Sequence, residues 1–481
     1  MRSGLRRVGA FMVVAAAAAQ LAWGAAPSRP DQWFEDVKKN ATPEQLYTFL
    51  YALPKGADLH NHLTGAARSE WIWDAALAQE SRGYTYYTKV AIHNCVPYGS
   101  NEYGNTPYLL LFVNLLEVNW KKLDECQRGE YKRLQDLDAK EKEGWLNSLR
   151  LDKSYEGRNE FFGAHWQRMN DLYTNPYWVV YILQRNMEAF GKEGLAYLET
   201  ENSLSGYRKP DGTEFSLDSV ADMFRAELGS PAARATGVTV RFNNSILRFA
   251  PNAEDQLRFL FSVNDKYRDL YVGINMVGRE DDDKGYPLRF LPVLRELRHK
   301  YADINLTIHA GEVDEPNYHV RDTLLLGAKR IGHGVNLITD DDTMRLMRNG
   351  PYLVEINLIS NLLLEYVKDY SQHPFGEYLR TGIPVALSTD DRGMWDSNLT
   401  DEYFVAVKEF NLSWSEMVQL GRNSLKHSFV DEATKAQLLD AYEKRVAAFA
   451  AGFQKKGWGS FAAVKPVSYA FICTHYKVCL Q

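Results

Sequence analysis

The sequence offers little sulfur chemistry: four cysteines in 481 residues, with no C-x-x-C among them. That excludes thiolate zinc ribbons and thioredoxin-like exchange. It has no surplus of basic charge. Lys and Arg number 56 against 62 Asp and Glu, a net −6, so the electrostatic footprint of a nucleic-acid binder is missing. There is no G-x-G-x-x-G after a strand, no G-K-[S/T] loop and no G-x-S-x-G elbow, which removes dinucleotide, P-loop and serine-hydrolase readings. No apolar run reaches the ~20 residues that span a membrane; the run at 11–19 is too short, and 108–120 is broken by Asn114, Glu117 and Asn119. What remains is a globular composition, 45% hydrophobic and 25% charged, long enough for one large domain with additions or for two.

Arg2, Arg6 and Arg7 precede the apolar run 11–19, and Ala22-Trp23-Gly24 forms a small-x-small site. This reads as a signal peptide over 1–24 and predicts an exported chain, periplasmic or extracellular. Export permits disulfides. Four cysteines allow three connectivities; proximity favours Cys95–Cys126 and Cys473–Cys479.

After a helical extension over 25–54, with Thr42 as N-cap of a helix starting at Pro43, short apolar runs alternate with helical patterns. The strand-like runs are 57–62, 195–200, 238–242, 271–277, 305–309, 330–333, 352–357 and 384–389. Helical spacing occupies 253–266, 288–299, 340–348 and 374–380. Eight strands each followed by room for a helix predict an α/β fold, a (β/α)8 TIM barrel over 55–450. More than 130 residues separate the first two strands, so an inserted subdomain is expected at about 84–165, between strands 1 and 2. Residues 451–481 read as a short tail.

Histidines and acids gather at the ends of these strands. His60 and His62 stand at i and i+2, which puts two imidazoles on one face of an extended segment. His309-Ala310-Gly311-Glu312 ends the fifth run, Arg330-Ile331-Gly332-His333-Gly334 the sixth, and Leu387-Ser388-Thr389-Asp390-Asp391 the eighth. Each alone has an ordinary reading as a satisfied histidine, a capping acid or a turn glycine. Four strands ending this way at the barrel face where active sites assemble point to a metal centre. Imidazoles with one carboxylate and no thiolate suit Zn2+, although Fe2+, Co2+ or Mn2+ also fit. Such an ion lowers the pKa of bound water toward ~7, which makes the expected chemistry hydrolytic, with Glu312 handling protons. His93, His165, His299, His319, His373, His427 and His475 are taken as ordinary.

H-x-H, H-A-G-E, R-I-G-H-G and S-T-D-D in this order resemble the adenosine deaminase family of the amidohydrolase superfamily. Val277-Gly278-Arg279-Glu280, Asn423-Ser424 and Ser428-Phe429 support the match, which covers about 55–444 with the insertion interrupting it. The export signal, N-terminal helix and cysteine-bearing insertion resemble the secreted growth-factor-related branch, where the insertion is linked with partner contacts. The resemblance implies one Zn2+ per chain held by His60, His62, His309 and Asp390. It implies Glu312 as proton donor to purine N1, His333 as the residue assisting the attacking water, and Asp391 and the Gly278 N–H at N7 and N3. The implied reaction converts adenosine or 2′-deoxyadenosine to the inosine product and ammonia. Another 6-aminopurine (nucleotide, free base or N6-substituted adenine) and a growth-factor-like binding role are the alternatives. The implied partner is a small purine, with a homo-oligomer left open. Two positions depart from the pattern. Thr64 stands where many members carry a ribose-binding acid, and Arg392 replaces the common Pro after Asp390-Asp391. Arg392 meets a phosphate or lies on solvated surface; surface is expected.

Overall fold

The computed structural model describes residues 29–96, 109–281 and 284–480. The expected signal peptide lies outside them. No helix among the described residues is long and apolar enough to cross a membrane.

Eight strands form one sheet in sequence order: β1 (Lys55–Asp58), β2 (Leu195–Glu201), β3 (Thr239–Leu247), β4 (Tyr271–Val277), β5 (Asn305–Ala310), β6 (Arg330–His333), β7 (Leu353–Ile356) and β8 (Val385–Leu387). Every neighbouring pair is parallel, in registers such as Ala57↔Tyr197 and Ile308↔Ile331. Seven lie at the expected runs; the first is displaced, ending at Asp58 where 57–62 was expected, so His60 and His62 stand just beyond the strand rather than on it. β1, β2, β6, β7 and β8 are buried along their whole length, as parallel strands covered on both faces must be. The result is a near-closed (β/α)8 barrel.

The seam between first and last strands closes just past their ends. Asn61 bridges Asp390, and the Asp390 N–H donates to the His60 carbonyl at 2.9 Å. Lower down, the helix Trp414–Lys426 presses on β1: a Cβ at Gly56 would lie 2.0 Å from the Gly421 carbonyl oxygen. Ser424 Oγ accepts from the Ala57 N–H, and Asn423 Nδ2 donates to the Val385 carbonyl. Those two motif residues therefore hold the barrel seam.

The N-terminal helices, Arg29–Asn40 and Pro43–Ala52, pack Trp33, Phe34 and Phe49 against Trp414, Phe449 and Phe453. Thr42 closes a capping box with Gln45, as its sequence suggests. The long interval after β1 carries its own three-stranded antiparallel sheet, Asn114–Leu116, Tyr86–Lys89 and Tyr131–Arg133, tied by Cys95–Cys126. The tail, with its Cys473–Cys479 loop, is fastened to the barrel. Ile472 and Val478 are buried, and the Phe471 N–H donates to the Asp396 carbonyl beyond β8.

Candidate active site

At the C-terminal end of the barrel, four imidazoles and one carboxylate converge. His60 and His62 follow β1 on the seam segment; His309 is the penultimate residue of β5, His333 ends β6, and Asp390 lies three residues past β8. Ring centroids are 4.3 Å apart for His60 and His309, 5.3 Å for His62 and His309, and 5.6 Å for His60 and His62. Asp390 Oδ1 lies 3.6 Å from His60 Nε2 and 3.2 Å from His62 Nε2. The four sequence-assigned residues are neighbours here, but no single group within metal reach holds all of them: His60, His309 and Asp390 group with His333, and His62 with Asp390 and Asp391 or with Glu201 and His309. Backbone conformation is strained there: Asp390 and His333 adopt φ of 52° and 66°, the left-handed region that costs non-glycine residues energy and recurs at functional sites.

The opposite ring nitrogens are already engaged. His60 Nδ1 meets Glu355 Oε2 at 2.9 Å, His62 Nδ1 meets Glu201 Oε2 at 3.0 Å, and His309 Nδ1 meets Asn275 Oδ1 at 3.0 Å. Each acceptor fixes its ring so that Nε2 is free to coordinate. Glu355 also accepts from Thr307 Oγ1 at 2.9 Å and pairs with the Arg330 guanidinium, whose Nε lies 2.6 Å from Oε1. Nothing in the sequence flagged these supports. They come from β2, β4 and β7, and only barrel closure faces them inward.

A divalent cation fits this set. His60 Nε2 is buried without a hydrogen-bond partner, an orphan that a metal bond would satisfy. Burial opposes charge on His60, but the Asp390 and Glu355 carboxylates outweigh it and push its pKa up to about 10. Positive charge is therefore favoured at this point. His60, His309, His333 and Asp390 can present ligand atoms within one metal-sized space, as can His62 with Asp390 and Asp391.

Glu312 sits beside this cluster, 4% exposed, with Oε1 3.8 Å from His333 Nε2. Burial and the Asp390 and Glu280 carboxylates push it from 4.5 up to about 8, against Arg248 and His60. Its place is set by a buried group that the sequence reading left without a role. Glu280 accepts from the Gly311 and Glu312 N–H groups at 3.1 and 3.2 Å. Glu280 also faces His319 Nδ1 at 2.8 Å and Arg248 Nη1 at 3.6 Å, and Arg248 donates to the His309 carbonyl.

Asp391 is buried; burial first, then Asp390, pushes its carboxyl well above the usual range. Its Oδ1 has no hydrogen-bond partner, and a Cβ at Gly65 would strike that atom at 1.6 Å. Gly278 follows β4 at φ 98°, where a Cβ would strike Leu247 and Phe249 at 2.7 and 2.8 Å, so glycine is required. Thr64 is half-buried.

The family profile named Adenosine deaminase matches residues 129–445. The chain belongs to the adenosine deaminase family. It is 24% identical to adenosine deaminase 2 of Dictyostelium discoideum over 414 residues, 82% of this chain and 72% of that one. Among solved structures it resembles adenine deaminase from Arthrobacter aurescens, with a TM-score of 0.60, 18% identity and coverage of 82% and 100% of the two chains. An amidohydrolase from Burkholderia ambifaria solved with bound Zn has a TM-score of 0.60 and 18% identity, covering 85% and 94%. A hydrolytic deaminase of this type, on a TIM barrel with a His/Asp metal-binding cluster, is what the chain encodes.

One expectation is overturned. Arg392 is not solvated surface: it is 3% exposed. Its guanidinium donates to Glu193 Oε1 and Asn186 Oδ1, each at 3.0 Å, and lies 3.5 Å over the Phe190 ring. All three partners stand on or just after the helix Pro176–Lys192 that precedes β2. Arg392 therefore locks the Asp390-Asp391 turn to the neighbouring βα unit, and the hydrogen bonds together with the ring contact repay its burial.

Near the site, the insertion's last turns reach the barrel mouth. Trp166 lies 6.2 Å from His62, and the Phe161–His165 π-helix packs Phe161 against Trp395 beyond β8.

Proposed function

We propose that this is an exported zinc deaminase that converts adenosine and 2′-deoxyadenosine to inosine and 2′-deoxyinosine with release of ammonia. The observation that carries the reading is the convergence of His60, His62, His309 and Asp390 with Glu312 and His333 at one barrel end. His60, His62, His309 and Asp390 would hold the ion, and Zn2+ is favoured by three imidazoles, one carboxylate and no thiolate. When bound, it supplies Lewis acidity and a water of lowered pKa.

The chain's own residues supply the rest. Addition at purine C6 pushes electron density onto N1, and a neutral Glu312 carboxyl donates its proton there. His333 stabilises the charge that develops on the added oxygen. Asp391 holds N7, and the Gly278 N–H meets N3. Glu312, His333 and Asp391 are buried, and the lower dielectric around them strengthens each of these interactions.

Thr64 favours a second reading, deamination of another 6-aminopurine such as the free base, because no acid stands there for the ribose. The deciding measurement is metal analysis of the purified chain together with a deamination panel of adenosine, 2′-deoxyadenosine, adenine, AMP and N6-methyladenosine. Loss of adenosine absorbance, stopped by a chelator and restored by Zn2+, is expected. A folded, zinc-loaded chain that leaves both nucleosides untouched sinks the substrate assignment.

A further inference from the structure

His333 belongs to a hydrogen-bond chain whose direction the backbone dictates. The Phe375 N–H donates to His373 Nδ1 at 3.1 Å. A backbone N–H can only donate, so this nitrogen accepts. His373 is buried, and burial pushes its pKa down to about 3, so the ring is neutral and its one proton sits on Nε2. That proton is donated to Asn361 Oδ1 at 3.0 Å. With its oxygen taken, the Asn361 amide turns Nδ2 toward His333 Nδ1 at 2.9 Å. Asn357 Nδ2 stands on the same ring at 3.4 Å. Asn357 Nδ2 is scarcely nearer Nδ1 than Nε2, which it meets at 3.5 Å; the Asn361 donor alone faces Nδ1, so Nδ1 too accepts.

We infer that His373 and Asn361 are positioning residues that hold His333 as its Nε2–H tautomer, with that proton presented to the reacting oxygen. His333 Nε2 faces Glu312 Oε1 at 3.8 Å and Asp390 Oδ2 at 4.0 Å, on the side of the cluster. In its resting state His333 thus enters the reaction as a hydrogen-bond donor. It has no free lone pair at Nε2 with which to take a proton from the attacking water, so its contribution is charge stabilisation. The inference rests on the proposed function only for which atoms react; the tautomer is a property of the fold.

Histidine-selective 15N labelling of the full chain reads each ring's tautomer directly through long-range 1H–15N correlations. The wild-type protein should show His333 protonated at Nε2 and unprotonated at Nδ1. Asn361→Asp replaces the donor with an acceptor and should move the proton to Nδ1. With it, kcat should fall about 100-fold or more, while KM stays within about threefold and zinc content is unchanged. A role in packing alone would leave the tautomer where it was. His373→Phe, which frees the Asn361 amide to turn, gives the same test if Asn361→Asp does not fold. Wild-type His333 protonated at Nδ1, or an Asn361→Asp protein with the tautomer or kcat unmoved, overturns the inference. Wild-type inactivity toward every purine would sink the proposed function and leave the spectra to decide this point.

Discussion

Glu312→Gln separates the two consequences of burying a carboxyl beside the cluster. The side chain keeps its size and can still donate a hydrogen bond, but it cannot deliver a proton. Loss of a positioned general acid costs typically 10²–10⁴ in rate, so kcat for adenosine should drop about 10³-fold with KM little changed. The same substitution has a predictable effect on stability. The carboxyl moves from 4.5 in the open chain to about 8 in the fold. At ~1.36 kcal/mol per pKa unit this is about 5 kcal/mol as an upper figure. The folded pKa is raised, so the folded state holds the proton more tightly. Stability is then unaffected below about 4.5, falls as pH rises, and carries the full cost above about 8. In chelator-treated protein, Glu312→Gln should therefore unfold at higher denaturant than wild type at pH 9 and at the same denaturant at pH 4.5. Retention of more than a tenth of wild-type kcat, or an unfolding difference that does not grow with pH, would refute the reasoning.

Arg392→Ala leaves Glu193 buried without its cation and should cost about 3–5 kcal/mol by denaturant melt; a shifted purine preference at unchanged stability would instead restore the phosphate-reading role. Gly65→Ala places a methyl on Asp391 Oδ1 and should raise KM about tenfold or more while zinc content stays the same; unchanged kinetics would show that Asp391 does not touch substrate. His373, pushed down to about 3 by burial, contributes stability that is complete above about 6.5 and is lost as pH falls toward 3. Between pH 6.5 and 4.5 that loss is about 3 kcal/mol at ~1.36 kcal/mol per unit, and His373→Phe should flatten this part of the melt-against-pH curve.

The barrel was legible because parallel strands covered on both faces must be short apolar runs, and runs such as Leu306-Thr307-Ile308 between helical stretches have no other regular use. The quartet was legible because barrel topology gathers strand ends. Knowing that His309, His333 and Asp390 each follow such a run was enough to bring them together before any coordinate. His319 and His373 were passed over for the converse reason: neither ends a strand. One faces Glu280 and the other completes the chain to His333.

By itself the sequence determined the order of strands, the gathering of His60, His62, His309, His333 and Asp390 at one barrel end and the hydrolytic class of reaction, since these follow from local periodicity and from which residue types stand near strand termini. Only the tertiary structure decided the fate of Arg392, the carboxylate or amide behind each imidazole, and the amide chain that sets the tautomer of His333. Those depend on contacts between residues such as Arg392 and Glu193, or His60 and Glu355, far apart in the chain. No local pattern encodes such a pairing. It exists only once the barrel has closed and turned both partners to the same side of a wall.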